Sequence, residues 1–195
     1  MKRTWIIVLV GLAILFMGGC STYNGLITKR NDVDQKWADV QSQYQRRLDL
    51  IPNLVNTVKG YADFEKSTLQ AVVEARAKAT SINVTADNLD EAAIAKINAQ
   101  MGAVNSSLSR LLAVVENYPN LKADQSFLKL QDELAGTENR IATARDNFNE
   151  VVKIYNNAIQ RFPAVIFAGI LGFKTKAYFE AEAGAEKAPS VDFQK

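Results

Sequence analysis

Arg46-Arg47-Leu48-Asp49-Leu50-Ile51-Pro52-Asn53-Leu54-Val55 is the stretch on which the fold turns. On both sides of it apolar residues recur at alternating three- and four-residue spacings, the signature of a helix with one buried face. Upstream the stripe runs Tyr23, Leu26, Val33, Trp37, Val40, Tyr44, Leu48; downstream it runs Ile51, Val55, Val58, Ala62, Leu69, Val72, Ala79. Pro52 either kinks one helix or separates two. The stripe keeps phase across it, which favours a kink. Length argues for a break, because a helix from Asn24 to Ser81 is about 87 Å long at 1.5 Å per residue, roughly twice the next helix. Proline is also well tolerated in the first turn of a new helix, and Arg46 and Arg47 suit the end of the preceding one. The sequence is therefore read as dividing at Asp49 to Pro52, into helices of about 25 and 30 residues.

Two more stripes follow. One is Ile94, Ile97, Met101, Val104, Leu108, Leu111, Val115, Tyr118, broken by Pro119-Asn120. The other is Phe127, Leu130, Leu134, Ile141, Phe148, Val152, Tyr155, Ile159, Phe162, stopped by Pro163 because the residue before a proline avoids helical angles. Within the polar stretch Ser81 to Asp90, Asn88 and Glu91 have the spacing of a capping box. No strand-like alternation occurs. The expected fold is all-α, an antiparallel up-and-down four-helix bundle with an N-terminal membrane anchor or signal segment. Residues 1–19 form that segment, 20–179 the bundle and 180–195 a flexible tail.

The N-terminus reads as an address. Lys2 and Arg3 precede an uncharged run from Trp5 to Met17, then Gly18-Gly19-Cys20. A basic start, an apolar stretch and small residues before a break are the parts of a secretory signal. Gly18-Gly19-Cys20 resembles a bacterial lipobox, which makes Cys20 a lipidation candidate. The alternative is an uncleaved anchor running on through Tyr23 to Ile27. Either way the basic flank stays inside and the rest of the chain lies outside the cytoplasm.

Composition removes several function classes. The 195 residues include 23 basic and 21 acidic side chains, one cysteine and no histidine. Without histidine there is no Ser-His-Asp or Cys-His nucleophile system, no imidazole zinc site and no Glu-x-x-His di-iron pair. No catalytic, cofactor-binding or metal-ligating residue can be nominated, and the chain is not expected to be an enzyme. Arg46, Arg47 and Arg140 are interspersed with acids, so no nucleic-acid stripe emerges. The basic excess of two equals Lys2 plus Arg3, so the remainder is formally neutral.

Charges on the apolar stripes are more informative. Glu65, Arg76, Glu138 and Arg145 fall where core residues are expected, and charges there must be paired to be tolerated. They are read as an interhelical ion-pair network that fixes register, ahead of a buried ligand site. The uncharged run Phe162 to Phe173 is too short to span a bilayer. It either folds back to plug the base of the bundle or meets a membrane or partner through Phe162, Ile166, Phe167, Ile170, Leu171 and Phe173. Lys174 and Lys176 would then meet anionic headgroups.

Three stretches together resemble the LemA family of bacterial proteins. They are Tyr23-Asn24-Gly25-Leu26 leading to Trp37, then Arg46 to Val55 with Val58-Lys59-Gly60-Tyr61, then Tyr118 to Ala123 with Glu133-Leu134 and Thr137 to Arg145. Tyr155-Asn156 and Gly172-Phe173 extend the resemblance. It implies a helical bundle attached to a bacterial cell membrane through its N-terminus, on the extracytoplasmic side, with no enzyme activity or cofactor to carry over. The expected role is an interaction or scaffold module with a protein partner in the envelope and no nucleic acid. The alternative is a binder of lipid or another apolar ligand, using the bundle interior or residues 162–173.

Overall fold

The computed structural model describes residues 2–61, 65–82 and 84–180, with positions 2–4, 8 and 10–16 described by backbone alone. Among these residues the chain is all-helical: α1 (Lys2–Lys59), α2 (Lys66–Thr80), α3 (Glu91–Val115), α4 (Pro119–Lys122), α5 (Gln125–Gln160) and α6 (Ala164–Ile170). A 3-10 turn, Ala86–Asn88, lies between α2 and α3.

The expected break at Asp49 to Pro52 is absent. Pro52 lies inside α1, and the second long helix begins at Lys66. Proline cannot donate to the carbonyl four residues back, so an interior proline normally leaves that acceptor orphaned. Here the acceptor is Leu48 C=O, and Arg76 Nε from α2 donates to it at 2.8 Å. The helix keeps its phase because the missing bond is supplied from outside. Length is resolved by a different partner. From Asn24 to Lys59 α1 spans 36 residues, and α5 also has 36. The two match at about 54 Å.

α1 and α5 run antiparallel, with rising numbers on one meeting falling numbers on the other. Trp37 meets Phe148, Tyr44 meets Arg145, Arg47 meets Glu138 and Tyr61 meets Asp124. α2 returns along α1, and α3 packs mainly on α2. The apolar stripes form the interior. Val33, Val40, Ile51, Leu54, Val58, Val72, Val104, Leu111, Phe148 and Val152 are fully buried. Burying such side chains contributes roughly 1.5–3 kcal/mol each. Two ends are capped by aspartates: Asp90 accepts from Ala93 N–H at 2.8 Å, and Asp124 from Phe127 N–H at 2.9 Å. Asp90, not the expected Asn88, therefore starts α3.

The signal or anchor reading of residues 1–19 falls largely on side chains outside the described set. Among the described residues no helix is long and apolar enough to cross a membrane. The tail beyond Glu180 also lies outside the described residues.

Candidate functional site

Two regions concentrate polar groups inside this apolar scaffold. The first is the base, where residues 173–180 run as a strap along α5. Asn156 clasps Lys176: its Oδ1 accepts the backbone N–H at 2.9 Å and its Nδ2 donates to the carbonyl at 2.8 Å. One heptad earlier, Asn149 does the same to Phe179, with both bonds at 2.8 Å. Tyr155 Oη donates to Lys174 C=O at 3.0 Å, and Ala177 N–H to Leu89 C=O at 3.0 Å. Backbone that would otherwise be buried without partners is thus satisfied by side-chain amides. The strap delivers Phe179 into an aromatic nest, 6.2 Å from Trp37 and 5.5 Å from Phe148 between ring centroids.

Beneath the strap, charges gather around Asp87. Arg30 bonds Asp87, and Lys176 Nζ lies 3.9 Å from the same carboxylate while donating to Ala86 C=O at 2.5 Å. Burial lowers the Lys176 pKa, and Asp87 and Asp34 oppose that effect. Burial raises the Asp34 pKa against the pull of Arg30 and Lys176. Asp34 Oδ1 is buried without a hydrogen-bond partner among the described residues. The alternative in which Lys176 meets headgroups does not hold: Lys176 is buried, because the strap carries it under the 3-10 turn. Its amine is enclosed and engaged, so it closes the base.

The second region is a cleft of about 480 Å³ between α3 and α5, floored by α1. Arg47 of α1 pairs with Glu138 of α5. Arg145 Nε donates to Tyr44 Oη at 2.8 Å and its Nη2 to Asn98 Oδ1 at 3.3 Å. Its guanidinium lies 5.0 Å from the Phe179 ring centroid and 5.6 Å from that of Tyr44. Burial pushes the Tyr44 phenol up, and Arg145 partly offsets this. Charges and amides share the cleft wall with Met101 and Ile141.

The four stripe charges do not form one network. Glu138 and Arg145 line the same cleft with different partners, and Arg76 serves the Leu48 carbonyl on another side of α1. Glu65 is exposed at the N-cap of α2, where hydrogen bonds from Ser67 and Thr68 lower its pKa. It sits before the helix, so the stripe phase that implied burial does not apply to it. Cys20 is exposed. Around α6, Phe162, Ile166 and Ile170 are exposed at 82%, 53% and 78%, and Leu171 is also exposed. Phe167 instead turns inward, its ring against Gly19 of α1, and Phe173 packs edge-on against Tyr23 at 6.1 Å. Sequence reasoning passed over Asn149, Asp34 and Asp87, and met Asn156 only as part of the family resemblance, without a role. A signal existed for the asparagines, which flank Phe148 and Tyr155 on the buried stripe seven residues apart.

Among the described residues no cluster of acidic or cysteine side chains could hold a metal ion. A profile of the LemA family matches residues 36–193. The chain is 30% identical over 174 residues to Magnetosome protein MamQ of Magnetospirillum gryphiswaldense, covering 80% of this chain and 64% of that protein. Magnetosome protein MamQ 1 of Paramagnetospirillum magneticum is 29% identical over 175 residues, covering 81% and 64%. Protein LemA of Metamycoplasma hominis is 25% identical over 158 residues, covering 81% and 68%. The chain therefore spans just under two thirds of the magnetosome relatives' length.

Proposed function

The chain belongs to the LemA family, and from that premise we propose that it is a membrane-attached, non-catalytic interaction module, an antiparallel four-helix bundle on the extracytoplasmic side. Attachment is through the N-terminus, by lipid on Cys20 or by the uncleaved apolar run. The observation that carries the reading is the placement of α6. Phe162, Ile166 and Ile170 expose their side chains at the end of the molecule where Phe167 abuts Gly19, directly beyond the apolar run Trp5 to Met17. Exposed apolar clusters mark interaction or membrane surfaces. α6 then rests in the headgroup boundary, and Lys174, exposed beside it, meets anionic lipid. Asn149, Asn156, Tyr155 and Lys176 of the strap and base are engaged in holding backbone together, which supports a binding role over a reaction.

Two measurements test this. Full-length protein in anionic proteoliposomes is digested with chymotrypsin and compared with protein in detergent. Protection after Phe162 and Phe167 is expected; cleavage at the same rate in both removes α6 from the membrane. Crosslinking in intact cells followed by mass spectrometry is expected to recover one stoichiometric envelope protein. Recovery of none removes the interaction role. The mass of the mature N-terminus reads the attachment: a diacylglyceryl Cys20, or Met1.

A further inference from the structure

Beyond α5 the chain forms one arm, α6 followed by the strap. Three residues, Arg161 to Pro163, join it to α5. Phe173 N–H closes on Ala168 C=O at 3.0 Å, and Gly172 takes the φ of +75° that this helix end requires, so α6 and the strap move together. The body grips the arm at defined points. Asn149 and Asn156 hold its backbone three residues apart, Ala86 C=O takes the Lys176 amine, and Phe179 fills the nest of Trp37 and Phe148. None of these groups depends on which copy of the chain supplies the arm. Closure also buries the Lys176 amine near Asp34, whose Oδ1 has no hydrogen-bond partner among the described residues. That cost offsets part of what the clasps contribute and makes opening of the arm a local event. Opened, the three-residue connection reaches about 10 Å and α6 adds about 10 Å. Neighbouring helices pack about 8–10 Å apart, so the arm reaches an adjacent α5. Short hinges invite exchange of a segment between copies, and reciprocal exchange closes at two chains with both grooves filled.

We infer that the strap groove is a socket between copies: on the membrane the arm of one chain docks in the groove of a second, where Asn149 and Asn156 clasp the incoming backbone. The inference rests on the membrane-attached reading and goes beyond it in naming a second copy as the occupant. Attachment through the N-terminus sets every copy at one height and orientation. Hinge then lies level with hinge, and confinement to one plane raises the local concentration of arms.

The test uses the full chain carrying Asn88→Cys/Tyr178→Cys. These exposed positions each lie one residue from the 3.0 Å bond between Ala177 N–H and Leu89 C=O, and Asn156 keeps both of its backbone bonds. Protein with natural nitrogen and protein labelled with the heavy isotope are mixed, reconstituted together in liposomes at rising density and joined with a short bismaleimide. Mass spectrometry of the peptides linked between positions 88 and 178 reads the exchange. Mixed-isotope pairs are expected to rise with density towards half of all such pairs, the limit for full exchange between equal populations. Mixed pairs that stay at the dilute level at every density overturn the proposal. Adding Asn149→Ala removes one clasp and is expected to cut mixed pairs about tenfold. Mixed pairs that it leaves unchanged are chance collisions and overturn the proposal too. If mixed pairs are absent while liposomes still protect the chain after Phe162 and Phe167, the exchange falls and the membrane-attached reading stands. Loss of that protection as well removes the shared plane on which both rest.

Discussion

Arg76 Nε donates a 2.8 Å hydrogen bond to the carbonyl of Leu48, the acceptor that Pro52 leaves without its helical donor. A side chain of α2 thereby completes the backbone of α1. Arg76→Met is expected to destabilise the protein by about 1–3 kcal/mol, the cost of a buried carbonyl left unpaired. In a Pro52→Ala background the alanine N–H takes over, and the same substitution is expected to cost less than about 1 kcal/mol. Urea denaturation of the four proteins gives the coupling. Equal costs in both backgrounds would falsify the rescue.

The strap is the next target. Asn149→Ala and Asn156→Ala each remove two backbone bonds, and each is expected to cost about 2–3 kcal/mol. Amide exchange is expected to accelerate at residues 174–179 first, and trypsin to cut after Lys174 and Lys176. Uniform acceleration across α1 and α5 as well would mean that the strap is not a separable element.

Asp34 gives a pH dependence with a defined sign. Burial raises its pKa in the folded state, so the folded protein binds the proton more tightly than the unfolded one. Stability from this group is present below the unfolded value of 3.8 and falls as pH rises through the raised folded value. Asp34→Asn removes that penalty. At pH 7 it is expected to match or exceed the parent's stability, by up to about 1 kcal/mol, and to flatten the mildly acidic limb. Thermal melts between pH 4 and pH 7 check this, and a large loss at pH 7 would show that the carboxylate's attraction to Arg30 and Lys176 outweighs its burial.

At the base, a Cβ on Gly19 comes within 3.1 Å of the Phe167 ring. Gly19→Leu is expected to push Phe167 out and raise chymotryptic cleavage after it several-fold. The global unfolding free energy is expected to change by no more than about 1 kcal/mol, the scale of replacing a glycine within α1, since Gly19 precedes the buried stripe that begins at Leu26. A cooperative loss of stability would tie α6 into the core.

Periodicity made most of this fold legible. Every apolar residue from Leu26 to Val58 on the α1 stripe is buried, as are those of α3 from Ile94 to Val115. Pro52 was misread because its compensation comes from Arg76, a residue 24 positions on whose proximity only tertiary folding creates. Arg76 was noticed as a charge on a stripe, but nothing local named a carbonyl as its partner. The headgroup alternative for Lys176 fails for a related reason. Read as a linear neighbour of an apolar run it belongs at a membrane surface, yet Asn149 and Asn156 pull its backbone into the bundle. Glu138 and Arg145 were found by phase, while their separate partners depend on the α1–α5 register. That register brings Arg47 to Glu138 and Tyr44 to Arg145, and no single helix encodes it.

The unbroken course of α1 past Pro52 has a mechanical consequence. From Cys20 to Lys59 the helix runs about 58 Å without a joint, so on the proposed N-terminal attachment it acts as a lever with its short arm at the bilayer. A tilt of about 20°, ordinary for a membrane helix, sweeps the far end through about 20 Å. Whatever grips Tyr61 and Asp124 at that tip therefore feels lipid thickness and bending as displacement, which a hinge at Pro52 would have absorbed.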